Sequence, residues 1–421
     1  MPDGTNVAGA VQAPSTGQRI FGWLKGHMDL MFRIARNLVP ILVVRFQGRT
    51  WALVTRYDDV QEVLTRPNVF DVTYAPKIAT IMEGDNIFLG MKDEERFTRD
   101  KTNMRMTAPR AEAVARVAPE TARLTAEVIE RARPAGRLDL AMELSQDVTT
   151  RLFGAYFGTP GRSVTEFSGQ ARGLFGFMFA DLSNDPARKL AAEPLAASMR
   201  GYVEAAIAER KLARHQHDDI LERCLAFQDL GLPGFSDREI RNNMMGLIIG
   251  ALPQPPMVIP QLFDVLLDRP RELAEAQAAA LAEDDATVAR HVFEASRFYP
   301  LTPGLFRNCL TPYRVAAGTW RAKTIPAGAF VMAATRSAMF DGRKLPDARG
   351  FRTDRPDYHY MHFGYGMHEC FGLYMNRVMV PEICKAVLQL PKLRRAAGPE
   401  GRLRLDDDFN LFAMNLTVEF G

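Results

Sequence analysis

The chain has 421 residues, 47% of them hydrophobic, with 53 Lys and Arg against 50 Asp and Glu and a formal net charge of +3. That length supports a large buried core, while the near-balanced charge argues against a nucleic-acid partner. No apolar run reaches the roughly 18–20 residues of a membrane span, and four cysteines without a CxxC pair exclude a disulfide framework or a zinc ribbon.

Taken in chain order, Met1 to Arg19 is polar with Pro and Gly and lacks the layout of a signal peptide, so a cytoplasmic protein is expected. Trp23, Leu24, Met28, Leu30, Met31 and Phe32 form an amphipathic stripe expected to pack onto the body, with association with a surface as the alternative. A strand pair is predicted over Pro40–Phe46 and Thr50–Thr55, turning at Gln47 to Arg49. A helix follows from Tyr57 to about Leu64, with Asp58 and Asp59 at its N-terminal end.

From Pro109 to Phe157, and again over 162–232, apolar residues recur at helical spacing, with breaks at Ser183–Pro186 and His215–Asp219. His215 and His217 lie in a polar, acidic stretch and read as a solvated loop rather than a metal site. Ser236 and Glu239 have capping-box spacing for a further helix. Another helix covers 284–298 and stops before Tyr299 and Pro300. Between Leu310 and Val331, Gly and Pro punctuate short strands and turns, and a last strong helix runs from about Gly372 to Leu388. The fold class is mainly α with a minor β region formed by the two ends of the chain, in a single domain over 1–421.

One stretch carries chemistry: Phe363-Gly364-Tyr365-Gly366-Met367-His368-Glu369-Cys370-Phe371-Gly372. Gly364 and Gly366 permit a tight or left-handed backbone, and Gly372 a close approach. Cys370 sits just before a helix, where amide N–H groups and the helix dipole favour an anionic sulfur. The positions of Phe363, Gly364, Gly366, His368, Cys370 and Gly372 resemble the haem-binding signature of the cytochrome P450s.

The resemblance implies the helix-rich triangular-prism fold of that family, haem b (iron protoporphyrin IX) as cofactor, and Cys370 as the axial ligand to its iron. It also implies that Glu294, Arg297 and Arg355 form a buried network holding the cysteine loop. Arg307, His368 and Arg99 would face the haem propionates. Glu95 stands where the family's early element has a histidine, a departure that bears on Arg99. The haem would lie between the Cys370 loop and the helix that begins near Ser236.

That helix departs from the family pattern. Where Gly-x-x-acid-alcohol is expected, the chain reads Gly250-Ala251-Leu252-Pro253-Gln254, with no acid or alcohol between Arg241 and Asp264. Pro253, Pro255, Pro256 and Pro260 each remove a backbone donor, at ~3 kcal/mol or more in a helix interior, so a broken or wide helix is expected. Gln254 donates and accepts hydrogen bonds but does not relay protons as a carboxylic acid does.

Three readings follow. One is a monooxygenase acting on an apolar small molecule, supplied by a ferredoxin and a ferredoxin reductase. The second uses a peroxide or fatty-acid hydroperoxide and needs no redox partner. The third is a haem protein that senses a ligand without turnover. Phe167, Phe175, Phe177 and Phe179 read first as core and second as substrate contacts; Lys92, Lys101 and Arg377 are candidates for a basic patch facing an acidic ferredoxin.

Overall fold

In the computed structural model of the protein, which describes residues 28–46, 48–161 and 163–421, helices dominate and strands from both ends of the chain meet in one sheet. Met1–Arg19, Trp23, Leu24 and Gln47 lie outside the described residues. Helix α1 (Met28–Leu38) leads into strands β1 (Ile41–Phe46) and β2 (Arg49–Val54), then α2 (Tyr57–Leu64), β3 (Phe70–Val72), α3 (Ala75–Ile81) and α4 (Glu95–Thr107). Next come α5 (Ala118–Ala132), β4 (Arg137–Asp139), α6 (Gln146–Phe157), α7 (Val164–Phe175), α8 (Pro186–Leu212) and α9 (Ile220–Asp229).

The central helices are α10 (Asp237–Ala251), α11 (Gln254–Leu267), α12 (Pro270–Leu281) and α13 (Asp285–Phe298). They lead to β5 (Leu305–Cys309), β6 (Tyr313–Val315), β7 (Lys323–Ile325), β8 (Phe330–Ala333), the single turn α14 (Thr335–Ala338) and α15 (Leu373–Leu388). Strands β9 (Arg394–Arg395), β10 (Arg404–Leu405), β11 (Ala413–Asn415) and β12 (Thr417–Glu419) close the chain.

The main sheet has the order β1-β2-β8-β5-β3. Its parallel β2–β8 pairing sets Trp51 opposite Phe330 and Val54 opposite Ala333, so the N-terminal hairpin is bonded to strands from the far end of the sequence. Val54, Val60, Phe70, Ile325 and Val331 are buried beneath this sheet. A second, larger core of Leu144, Val148, Ile248, Leu262, Val292 and Ile383 fills the helical part.

Two expectations are corrected here. The helical reading of 109–157 is interrupted: Gly136 adopts φ +61°, and a Cβ there would sit 3.0 Å from the Phe420 carbonyl oxygen. The chain turns at this glycine into β4, which pairs with β12. The stripe on α1 packs only in part, because Phe32 is buried while Leu30 and Met31 face solvent.

The expected capping box on α10 is present, with Ser236 N–H donating to Glu239 Oε2 at 3.0 Å and Glu239 N–H to Ser236 Oγ at 3.4 Å. The proline run is relieved by a break. Helix α10 stops at Ala251 and α11 restarts at Gln254, with Pro253 as its N-cap. Pro255 and Pro256 then fall in a first turn, where a missing N–H costs little, and only Pro260 is interior to the new helix.

The segment that carries Cys370 is tied to α13 by ionic contacts with no water access. Glu294 and Arg297 are fully buried, with Arg297 Nη2 to Glu294 Oε1 at 2.6 Å and Nε to Oε2 at 3.0 Å. Arg297 also donates to the carbonyls of Ala348 (2.6 Å) and Gly350 (2.9 Å). Arg355 reaches Glu294 at 3.4 Å and the Pro346 and Asp347 carbonyls at 2.8 and 2.6 Å. Tyr360 Oη donates to Glu294 Oε2 at 2.9 Å. Removing one partner strands buried charge, so Arg297→Ala is expected to cost ~3–5 kcal/mol, read as a lower urea midpoint; an unchanged midpoint would contradict the network's role in holding this segment.

Candidate functional site

Gly364 and Gly366 adopt φ +81° and +74°, the left-handed region that only glycine enters without strain. At Gly366 a Cβ would also meet the Leu64 carbonyl oxygen at 2.7 Å. These two turns fold the loop back so that Cys370 N–H donates to the Phe363 carbonyl at 2.8 Å and Glu369 N–H to Gly366 at 3.1 Å. The Phe363 ring packs edge-on against Phe293 of α13, at 6.1 Å between centroids.

Cys370 precedes α15, whose N-cap is Gly372, and its thiol is half-buried. Burial pushes the thiol's pKa up. The amides of Gly372 and Leu373 and the charge of Arg105 pull the other way, and Glu369 adds to the rise. At Gly372 a Cβ would lie 2.9 Å from Asn376 Nδ2 and 3.7 Å from the Cys370 sulfur. The missing side chain keeps the space beside the sulfur open.

Helix α4 holds the loop from the other side. Lys101 Nζ donates to the Met367 carbonyl at 2.8 Å, and Arg105 Nη2 to the Phe371 carbonyl at 3.0 Å while its guanidinium stacks 4.1 Å from the Phe371 ring. Sequence reasoning placed the α4 cation at Arg99, and here it fails. Arg99 pairs with Asp100 at 2.7 Å and Glu239 at 3.3 Å, so its charge is already met by carboxylates. Lys101 and Arg105, four residues apart, share a helical face; Arg99 lies about 200° round the helix from Lys101.

The expected basic patch is likewise reduced. Lys101 is used on Met367, and Arg377 pairs with Asp357 at 3.3 Å.

Arg307, on β5, is nearly inaccessible (3% exposed). Its one hydrogen bond among the described residues runs from Nη1 to the Phe306 carbonyl, at 2.9 Å. Burial pushes its pKa down, offset only in part by Tyr74 and Asp71. His368 feels the Arg307 and Lys101 charges; burial together with them holds it at about 3, and its Nδ1 has no partner. A buried guanidinium without an ion pair, beside an imidazole whose Nδ1 is unpartnered, calls for an anionic group. The carboxylates of a haem fit that demand, as the half-buried thiol fits its iron.

On α10, a Cβ built at Gly250 meets no atom within 4 Å. Gln254 follows at the break, half-buried, with no side-chain hydrogen bond among the described residues. Pro253 is buried between them and donates nothing to the Ile249 carbonyl. A cavity of about 390 Å3, lined by Arg49, Lys77, Phe177, Met178, Asp181 and Phe330 among others, opens between α3, the end of α7 and the sheet. Of the four phenylalanines singled out by sequence, Phe167, Phe175 and Phe177 are core and Phe179 packs against it, and Phe177 also lines this cavity.

The solved complex of P450BioI with hexadec-9Z-enoic acid ligated Acyl Carrier Protein is similar in fold, with a TM-score of 0.79 at 16% sequence identity, covering 95% of this chain and 99% of that one. The chain has the fold of the cytochrome P450s. The haem b of a cytochrome P450, with its thiolate ligand, is the cofactor that the fold and the cysteine loop call for.

Mycinamicin IV hydroxylase/epoxidase of Micromonospora griseorubida is 25% identical over 374 residues, 87% of this chain and 88% of that protein. Linoleate diol synthase of Gaeumannomyces graminis is 37% identical over 84 residues, 20% of this chain and 7% of that protein. No family model matches the chain.

If Arg307 answers a haem carboxylate, Arg307→Ala is expected to lower the haem-to-protein absorbance ratio after gel filtration several-fold, whereas Arg99→Ala leaves it unchanged. Equal retention in both variants would contradict the assignment.

Proposed function

We propose that this protein is a cytochrome P450 oxidoreductase of the monooxygenase type that oxidises an apolar small molecule. The observation that carries the reading is the Cys370 thiol, half-buried and backed by the Gly372 and Leu373 amides. Bound there, the haem supplies an iron centre for oxygen activation, to which a thiolate ligand donates electron density. Cys370 would hold the iron, Arg307 and His368 the carboxylates, and Lys101 with Arg105 the loop itself. Phe363, Gly364, Gly366 and Gly372 shape that loop, and Glu294, Arg297 and Arg355 fix the segment before it.

Phe177, Met178 and Phe330 give the cavity wall an apolar side for such a substrate, next to the polar Arg49, Lys77 and Asp181. Activities of the mycinamicin relative's kind, hydroxylation or epoxidation, are the expected outcomes. A ferredoxin and its reductase are the expected electron source in this reading.

A second reading is favoured by one place in the fold. The α10–α11 break carries Gly250, Pro253 and Gln254 with no acid or alcohol near them in sequence. The free amide of Gln254 can donate from Nε2 and accept at Oε1, which suits holding a hydroperoxide in a fixed orientation. It does not suit delivering protons. The local likeness to linoleate diol synthase points the same way, toward a fatty-acid hydroperoxide as oxygen source. The third reading, a sensor without turnover, has no observation in its favour.

The discriminating experiment gives the purified ferric protein a fatty-acid hydroperoxide without reductant, and in parallel an apolar substrate with ferredoxin, reductase, NADH and isotope-labelled dioxygen. The monooxygenase reading predicts label in the product of the second reaction and only slow decay in the first. Rapid conversion of the hydroperoxide to an alcohol, epoxy alcohol or diol, slowed about 100-fold by Gln254→Leu, would replace it with the hydroperoxide reading.

A further inference from the structure

We infer that the cavity between α3, the end of α7 and the main sheet binds a carboxylate, with Arg49 as its cation and Asn308 beside it. The inference rests on the oxidation proposed above and names a class for its substrate. That class is an apolar molecule ending in a carboxylate, of which a fatty acid is the simplest.

The site grows out of the sheet. Trp51 on β2 lies opposite Phe330 on β8, and Phe330 opposite Asn308 on β5. Partners in register share a face of a sheet, as do residues two apart on one strand. Arg49, Trp51, Phe330 and Asn308 therefore present one continuous side. The Arg49 guanidinium lies 4.0 Å from the centre of the Phe330 ring and 5.4 Å from that of Trp51. Stacking occupies the flat face of a guanidinium and leaves its in-plane N–H groups free at the edge. Among the described residues that guanidinium has no ion pair or hydrogen bond, and the Asn308 amide has no side-chain hydrogen bond.

The other charges around the cavity are already met. Lys77 is buried and holds Asp181 at 2.9 Å, and Asp181 also accepts from Ser183 Oγ and Asp185 N–H at 2.9 and 3.2 Å. Asp185 caps α8 through the Ala187 amide at 2.9 Å. Asp71, opposite Asn308 on β3, accepts the Val72 amide at 2.8 Å and does not line the cavity. The wall holds three cations against two carboxylates. Lys189, on α8, is exposed and can stay hydrated, whereas Arg49 is half-buried against two rings.

Chemistry selects the head group. One guanidinium edge beside an amide matches a carboxylate, whose two oxygens accept parallel N–H bonds from an arginine. Phe177, Met178 and Phe330 form the apolar side of the same space, so one cavity serves both the head and the chain of a single molecule. Its volume, about 390 Å3, is that of a small-molecule site. Asn308 follows Arg307 on β5, so the site shares a strand with the arginine assigned to the haem carboxylates.

The test is isothermal titration of the haem-loaded full chain with decanoate and, separately, with methyl decanoate, which keeps the chain and lacks the charge. Decanoate is expected to bind roughly tenfold or more tightly than the ester. Arg49→Gln should bring the acid down to the level of the ester and leave the ester unchanged, with the reduced CO spectrum intact as a control of the fold. The inference is overturned if the parent binds acid and ester alike, or if Arg49→Gln keeps the preference. Loss of the preference in Lys189→Gln, with Arg49→Gln unaffected, would put the head group on α8 instead. Binding needs no turnover, so the site and the proposed oxidation fail separately. An acid held through Arg49 but never oxidised would remove the oxidation alone, and an ester bound and oxidised as well as the acid would remove the site alone.

Discussion

Holding a sulfur anion still inside a protein sets the terms for most of what surrounds Cys370. Burial drives the thiol toward its neutral form and the adjacent Glu369 carboxylate adds to that, so the loop must present amide donors to the sulfur. It does this by two left-handed glycines and a helix start. Beyond the packing of Phe363 on Phe293 and of Phe371 on Phe88, the loop has support from outside. The support is ionic: Glu294 collects Arg297, Arg355 and Tyr360 in a site closed to water, and the two arginines spend their remaining donors on the backbone carbonyls of residues 339–350. A buried ion network is a poor source of net stability, but it tolerates only one geometry, and one geometry is what a metal-binding loop requires.

The α10–α11 break obeys a different logic. In α10 and α11 the prolines do not distort a continuous helix; they end one and begin another. The break leaves the carbonyls of Ile249, Ala251 and Leu252 without their helical donors, since Pro253, Pro255 and Pro256 lack the N–H. Hydrogen-bond acceptors and one amide, rather than an acid, therefore characterise this stretch. In the proposed reading, this stretch would orient an oxygen donor but be poorly equipped to supply it with protons. That links a feature of backbone chemistry directly to the choice between dioxygen and a hydroperoxide.

Much of this was legible in the sequence because its determinants are local. The Ser236 and Glu239 capping box, the helix from Tyr57, the glycines around Cys370 and the Glu294, Arg297 spacing each depend on residues a few positions apart. The misses have long-range causes. β4 exists only because residues 417–419 pair with it. The face of α4 that meets the cysteine loop is set by how that helix docks, so Arg99 and Lys101 could not be ranked from spacing, and Arg105 went unnoticed. The stripe on α1 was visible as amphipathic, but its periodicity does not say which side faces the protein; the buried Arg36 decides that.

The most direct test of the account is the absorption spectrum of the reduced protein under carbon monoxide, for the parent and for Cys370→Ala. The account predicts the red-shifted band of thiolate-ligated haem in the parent and its loss in the variant. Haem bound without that band in the parent, or the band persisting in Cys370→Ala, would contradict Cys370 as the iron ligand and the functional reading built on it.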